Sequence, residues 1–407
     1  MDKTVHKSAL KPQMLAMPAD IQPDPPYCRV AVIWIDWYAY HLARFQALLD
    51  NVDLAGGVVG IEIVGGVGVH AGLKFREEIP ASMPVETLLP AAGWRETKGL
   101  ALALLLWNRL DGLSPEVVLI PGHYTLPGLA AALWAKLNRR RAVLMTESTG
   151  YDHKRVWWKE AFKGMLVRVL FDWAVAGGAP HRRYLEKLGF PADRIARFYD
   201  IVDNDFFQGR SQALRNHCTA ADFDLPAQYF LYVGHIAEEK NVAGLLEAYF
   251  RYRAAGGDWS LVFVGDGPQL RQLRERAAAS AFHVDVYFEG LRGTPDLPQY
   301  YGFAGCFVLP STREPWGLVV NEAMACGVPL ILSQRCGCVE DLLYEPENGF
   351  SFDPHEPDEL AATLYAMSRL SPAARMDMGL RSQEIIANFS LEAWAAEIAK
   401  IAEASAP

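Results

Sequence analysis

The stretch Glu314-Pro-Trp-Gly-Leu-Val-Val-Asn-Glu322 places two carboxylates eight positions apart across a loop-to-helix junction. The run before it, Cys306-Phe-Val-Leu-Pro-Ser311, is short and apolar and reads as a buried strand. Pro315 disfavours helical dihedrals at Glu314, so that carboxylate belongs to an extended loop at the strand's carboxyl end. A helix is expected from about Leu318, stopped by Gly327 and Pro329. The amides of Trp316, Gly317 and Leu318 then lie in a first turn, without intrahelical partners and at the positive end of the helix dipole. Gly317 lacks a Cβ and lets a ligand approach the backbone. Glu322 falls about one turn inside, where a carboxylate accepts hydrogen bonds from a neutral diol. The combination suits a ligand that joins phosphate to sugar hydroxyls.

The surrounding chain alternates strand-like and helix-like segments. Apolar runs occur at Arg29–Ile35, Gly60–Val64, Val117–Ile120, Ala142–Thr146 and Ala174–Ala176, with helical patterns at His41–Leu49, Leu126–Leu137 and Val156–Leu170. A second series comprises Tyr229–Val233, Ser260–Val264, Val286–Phe288, Cys306–Leu309 and Leu330–Leu332. Such alternation predicts parallel sheets covered on both faces, with ligands beyond the strands' carboxyl ends. The expected class is α/β, as two Rossmann-like domains facing across a cleft. The expected division is a proline-rich tail over 1–26, an amino-terminal domain over 27–205, a carboxyl-terminal domain over 206–385 and a terminal helix over 386–407. The polar stretch Phe207–Leu225 separates the two series, and a hinge is expected near 203–210.

Composition narrows the class. The chain has 407 residues, 51% hydrophobic and 21% charged, with a net charge of −9 that argues against general nucleic-acid binding. The cysteines are scattered, and Cys336-Gly-Cys338 lacks the spacing of a zinc site. Asp203-Asn-Asp205 has the outline of a metal-binding Asp-x-Asp, but both residue types also suit a turn at a hinge. No metal or cofactor is expected. No secretory signal opens the chain and no apolar run is long enough to span a bilayer, so the expected location is the cytoplasm.

Taken whole, Glu314 to Pro329 closely resembles the Glu-x7-Glu signature of retaining glycosyltransferases of family 4, which have the GT-B fold. The resemblance is strong from about Tyr229 to Leu360 and implies that Glu314 contacts the donor sugar and Glu322 the nucleotide ribose. Gly234-His235 and Lys240 correspond to the family's glycine, arginine and lysine, which implies a diphosphate grip. His235 departs from the pattern, because a neutral imidazole offers one donor against the five of a guanidinium. Gly265 and Gly267 border the implied donor pocket, and backbone near Leu291, with Arg292, is implied to meet the base. The expected partner is a nucleoside diphosphate sugar, a UDP-sugar favoured, with a glycan or lipid-linked acceptor. Two other classes stay open: a nucleotide-sugar epimerase of the same fold, and a non-catalytic sugar-nucleotide-binding protein.

The amino-terminal half departs further. Where relatives have a glycine-rich loop, this chain reads Trp34-Ile-Asp-Trp-Tyr-Ala-Tyr-His41. Glu147, at the end of the run Ala142–Thr146, is the candidate for a sugar or acceptor contact and a catalytic role, with His123 and His153 as rivals. Residues 136–168 hold nine Lys/Arg against three acids, with Trp157, Trp158, Phe162 and Met165 among them, and Arg155, Lys159 and Lys163 are expected to share a helical face. That face is either a solvated surface over an ordinary core stripe or a dock for an anionic membrane, which would make the protein peripheral on the membrane's inner face.

Overall fold

The computed structural model describes residues 28–54, 57–66, 78–97, 99–122, 125–151 and 155–404. The candidates His123 and His153, and the expected tail over 1–26, lie outside the described residues.

The first sheet contains β1 (Val30–Trp34), β2 (Val58–Val64), β3 (Val85–Leu89), β4 (Val117–Pro121), β5 (Arg141–Thr146), β6 (Trp173–Ala176) and β7 (Ile195–Ala196). Helices α1 (Ala39–Asp50), α2 (Gly99–Leu113), α3 (Leu126–Leu137), α4 (Trp157–Leu170) and α5 (Ala179–Lys187) connect or cover these strands. Their spatial order is β3-β2-β1-β4-β5-β6-β7, parallel throughout. After α6 (Asn204–His217), the second sheet contains β8 (Tyr229–Val233), β9 (Ser260–Val264), β10 (Val286–Gly290), β11 (Cys306–Leu309), β12 (Leu330–Ser333) and β13 (Gly349–Phe352). Its order, β10-β9-β8-β11-β12-β13, repeats the first arrangement, again parallel. Its helices are α7 (Val242–Ala254), α8 (Leu270–Ala278), α9 (Leu297–Phe303), α10 (Leu318–Ala325), α11 (Val339–Leu342), α12 (Pro357–Arg369) and α13 (Pro372–Ile386), and α14 (Leu391–Glu403) ends the described chain.

Strand order reverses beside β1 in one sheet and beside β8 in the other, which opens a crevice at the carboxyl ends of those strands. Burial on both faces explains why β1, β8 and β11 read as unbroken apolar runs rather than as alternations.

Two sequence expectations are corrected here. The stretch expected to be a hinge near 203–210 is largely α6, which Asp203 caps by accepting the amide of Phe206 at 2.9 Å. The shared basic face is divided. Arg155 precedes α4, and Arg155 and Lys163 both lie over the Tyr184 ring, at 4.5 and 4.6 Å, whereas Lys159 projects outward over Trp158.

The sequence that replaces the glycine-rich loop folds inward. Trp34 and Trp37 are buried and meet edge to face, with ring centroids 4.9 Å apart. Gly60 makes room, since a Cβ there would sit 2.6 Å from the Trp37 ring. Tyr38, Tyr40 and His41 remain half-buried at the mouth of the crevice.

The terminal helix α14, capped by Ser390, packs on α1. The buried Trp394 donates its ring N–H to the Arg44 carbonyl at 3.2 Å, and Arg141 donates to the carbonyls of Ile401 and Ala404. The last helix is thus fastened to the first sheet's layer.

Candidate active site

Two neighbouring cavities occupy the crevice. One, of about 360 Å3, is lined by Leu291, Arg292, Asp203 and Glu322 and by the aromatic edge of α1. The other, of about 280 Å3, is lined by Glu147, Arg44 and His41 on one side and by Glu314, Trp316, Gly317 and Leu318 on the other. Tyr38 and Tyr40 border both.

Glu314 and Glu322 stand as the strand-loop-helix reading expects, one on the loop after β11 and one inside α10. Glu314 is nearly buried, and its Oε2 accepts from Lys240 at 2.6 Å and from Ser311 Oγ at 3.0 Å. Lys240 reaches it from the loop after β8, the strand beside β11. Gly317 precedes α10 at φ +105°, a conformation that favours glycine, and a Cβ there would sit 3.0 Å from Leu309. Trp316, Gly317 and Leu318 therefore bring the start of α10 to the cavity wall, while the Val320 amide already donates to the Gly317 carbonyl at 2.8 Å. Trp316 is buried, and its ring N–H donates to Asn321 Oδ1 at 2.9 Å.

The other donor-side candidates divide between lining and packing. Leu291 and Arg292 line the larger cavity with Glu322. Gly265 and Gly267 serve packing: Cβ atoms there would sit 1.9 Å from the Gly234 carbonyl oxygen and 2.4 Å from that of Ile236. These glycines let the turn after β9 lie flush against the turn after β8. Gly234 sits in that second turn, and the His235 carbonyl accepts from Tyr232 Oη at 2.8 Å. Neither glycine turn nor His235 is among the residues lining the two cavities.

Contacts between the two halves hold the crevice walls together. Asp341, before β13, accepts from the Ala179 amide at 2.8 Å and pairs with Arg197 at 3.3 Å. Glu340 pairs with Arg183, which holds its carboxyl below the ordinary glutamate value. His181 accepts the Gly178 amide at Nδ1, which leaves Nε2 to donate to the Pro315 carbonyl at 2.9 Å. Asn321 donates to the Asp200 carbonyl at 3.0 Å. The sequence reading singled out neither His181 nor Asn321. Both lie beside a motif it did use, but their partners are distant in the chain.

Burial, opposed by one hydrogen bond from Tyr301 Oη at 2.7 Å, pushes the Glu322 carboxyl up to about 7. A raised acid binds more protons folded than unfolded between its ordinary value of 4.5 and about 7. Its contribution to stability is therefore complete below 4.5 and disappears as pH rises through about 7. Chemical denaturation should show wild type losing about 3 kcal/mol relative to Glu322→Gln over that window. A constant difference between the two proteins would contradict this.

Comparison with known proteins accords with this geometry. Residues 220–383 match the family model described as glycosyl transferases group 1. The chain is 32% identical to the O-antigen chain mannosyltransferase B of Escherichia coli over 188 residues, 43% of this chain and 45% of that one. It is 28% identical to the α-D-kanosaminyltransferase of Streptomyces kanamyceticus over 175 residues, 43% of this chain and 45% of that one. These matches span less than half the length of the curated relatives. Whole-chain likeness appears in solved structures. A glycosyltransferase from Rickettsia africae superposes with a TM-score of 0.72 at 15% identity, covering 93% of this chain and 98% of that one. Anabaena HepE, solved in complex with UDP and glucose, superposes with a TM-score of 0.70 at 16% identity, covering 93% and 100%. The fold is GT-B, and within it residues 220–383 match the glycosyl transferases group 1 model.

Proposed function

We propose that this chain is a retaining, metal-independent glycosyltransferase of family 4 that moves a sugar from a nucleoside diphosphate donor, a UDP-sugar favoured, to a glycan or lipid-linked acceptor. The observation that carries this reading is the Lys240–Glu314 pair on adjacent strand ends, with Glu314 lining the smaller cavity and Glu322 the larger one beside it. The larger cavity takes the nucleoside, with the base against Leu291 and Arg292 and the ribose diol on Glu322. The smaller takes the transferred sugar, held by Glu314, with Glu147 facing it from the acceptor side. Negative charge on the departing diphosphate is met by Lys240 and by the α10 amides. Same-face attack by the acceptor, with the departing phosphate taking its proton, accounts for retention without a protein nucleophile.

The two alternative classes make different demands. An epimerase needs acid-base groups on both sides of one sugar, and Glu147 and Glu314 do line opposite walls of the smaller cavity. The matched family model and the named curated relatives favour transfer. A binding protein would hold the nucleotide without turnover. Under the transferase reading, Glu322→Ala weakens nucleotide binding about tenfold, and Glu314→Ala lowers kcat about 100-fold with little change in nucleotide affinity. Titration calorimetry and steady-state kinetics on both variants check this, and the reverse pattern would overturn the assigned roles.

No helix among the described residues is long and apolar enough to cross a membrane. Helix α4 instead presents Trp157, Trp158, Phe162, Met165 and Val169 to solvent, with Trp157 81% exposed. Aromatic side chains beside Lys159 on an outward helix face suit the headgroup region of an anionic bilayer, where a lipid-linked acceptor of glycolipid or polysaccharide synthesis lies. We therefore place the protein at the inner face of the membrane. Flotation with anionic vesicles should carry wild type upward and lose the double variant Trp157→Ala/Trp158→Ala. Equal flotation with neutral vesicles, or none, would remove the membrane from the account.

A further inference from the structure

Arg44 is a buried cation without a carboxylate partner. It lies on α1 and is 1% exposed, and the bond from Trp394 to its carbonyl pins the helix there. Its Nε and Nη2 both donate to the Ile201 carbonyl at 3.1 Å. Among the described residues nothing accepts from Nη1, and no Asp or Glu forms an ion pair with the side chain. The residue nevertheless lines the smaller cavity, on the wall that carries Glu147 and His41. A buried guanidinium left without a counter-charge is costly.

The neighbouring groups do not supply the missing charge. The guanidinium carbon lies over the Tyr40 and Tyr199 rings, 5.6 and 5.0 Å from their centroids, and the ring faces offset part of the cost. Burial pushes both hydroxyls up, so they stay neutral. Asp200 is buried one residue before Ile201, but burial pushes its carboxyl well above the ordinary aspartate value. Neither of its oxygens accepts a hydrogen bond among the described residues. Across the cavity Glu314 is taken by Lys240, and Asp36 accepts from Tyr38 Oη at 2.6 Å. Glu147 is exposed, so water and salt screen its charge. Packing accounts for Nε and Nη2. It does not account for Nη1, or for a full positive charge at a cavity wall.

We propose that Arg44 makes the smaller cavity an oxyanion subsite: it takes a carboxylate or phosphate carried by the transferred sugar or by the acceptor. A hydroxyl would accept from Nη1 but leave the charge uncompensated. An oxyanion satisfies both, and the planar guanidinium matches its geometry. The use of this cavity for sugar transfer rests on the transferase reading, but the subsite itself does not.

Titration calorimetry on the full chain tests this with ligand pairs that differ in one charged group. UDP-glucuronate against UDP-glucose places the charge on the transferred sugar. Glucose 6-phosphate against glucose, both in the presence of UDP, places it on the acceptor. In one of the two pairs the charged member should bind about tenfold or more tightly than the neutral one, and that pair names the source. Arg44→Gln keeps a donor for the Ile201 carbonyl but no charge, and should reduce the preference to about threefold or less. Arg44→Lys, which keeps the charge without the planar fork, should retain more of it than Arg44→Gln. No preference in either pair on the wild-type protein would overturn the proposal, and that comparison needs no variant to fold. A preference that folded Arg44→Gln leaves unchanged would overturn it equally. UDP binding with neither preference removes the subsite and leaves the transferase reading standing. An Arg44-dependent preference for glucose 6-phosphate in a protein that does not bind UDP would keep the subsite and remove the transferase reading.

Discussion

The site depends on a single ion pair. Lys240 and Glu314 come from the loops after β8 and β11, adjacent strands on the carboxyl edge of the second sheet. Glu314 has 9% of its side chain exposed, and Lys240 stands against it at 2.6 Å. The pairing fixes more than two side chains. The amide of Thr312 donates to the Glu239 carbonyl and that of Gly337 to the Glu314 carbonyl, so three loops are laced around the pair. Under the proposed transferase reading, an anionic donor entering here meets a lysine already held in place.

A second constraint sets the relation of the two halves. Asn321, on the same helix as Glu322, accepts from Trp316 and donates to Asp200. One amide thus joins the Glu-x7-Glu segment to the run Tyr199–Val202 of the amino-terminal half. His181 makes the parallel link to Pro315. Through these contacts the two walls of the crevice are set against each other by buried groups with specific partners rather than by apolar packing alone.

Much of this was legible in the chain because parallel strands buried on both faces are plain apolar runs. Tyr229–Val233, Ser260–Val264 and Cys306–Leu309 appear in the structure with the bounds their sequence predicts. β3, Val-Glu-Thr-Leu-Leu, is a half-buried edge strand and lacks that signal, and β7 has two residues. Helix α6 was hidden because it is polar, with few buried side chains, and its cap Asp203 is equally at home in a turn. At the site, Glu314 and Glu322 could be read from Pro315 and Gly317 because local backbone rules place them. Asp200 could not be found in that way. Its burial against Gly177, where a Cβ would fall 2.1 Å from Asp200 Oδ2, and its carbonyl's bond from Asn321 appear only in the fold. The one trace in sequence is an acid inside an apolar run.

The most direct test of the central claim is a thermal-shift screen of the protein against UDP, GDP, ADP and their common sugar conjugates, with and without EDTA. The account predicts a selective rise with one nucleotide, UDP favoured, that survives EDTA and is lost in Glu322→Ala. No rise with any nucleotide, or a rise that Glu322→Ala leaves intact, would contradict it.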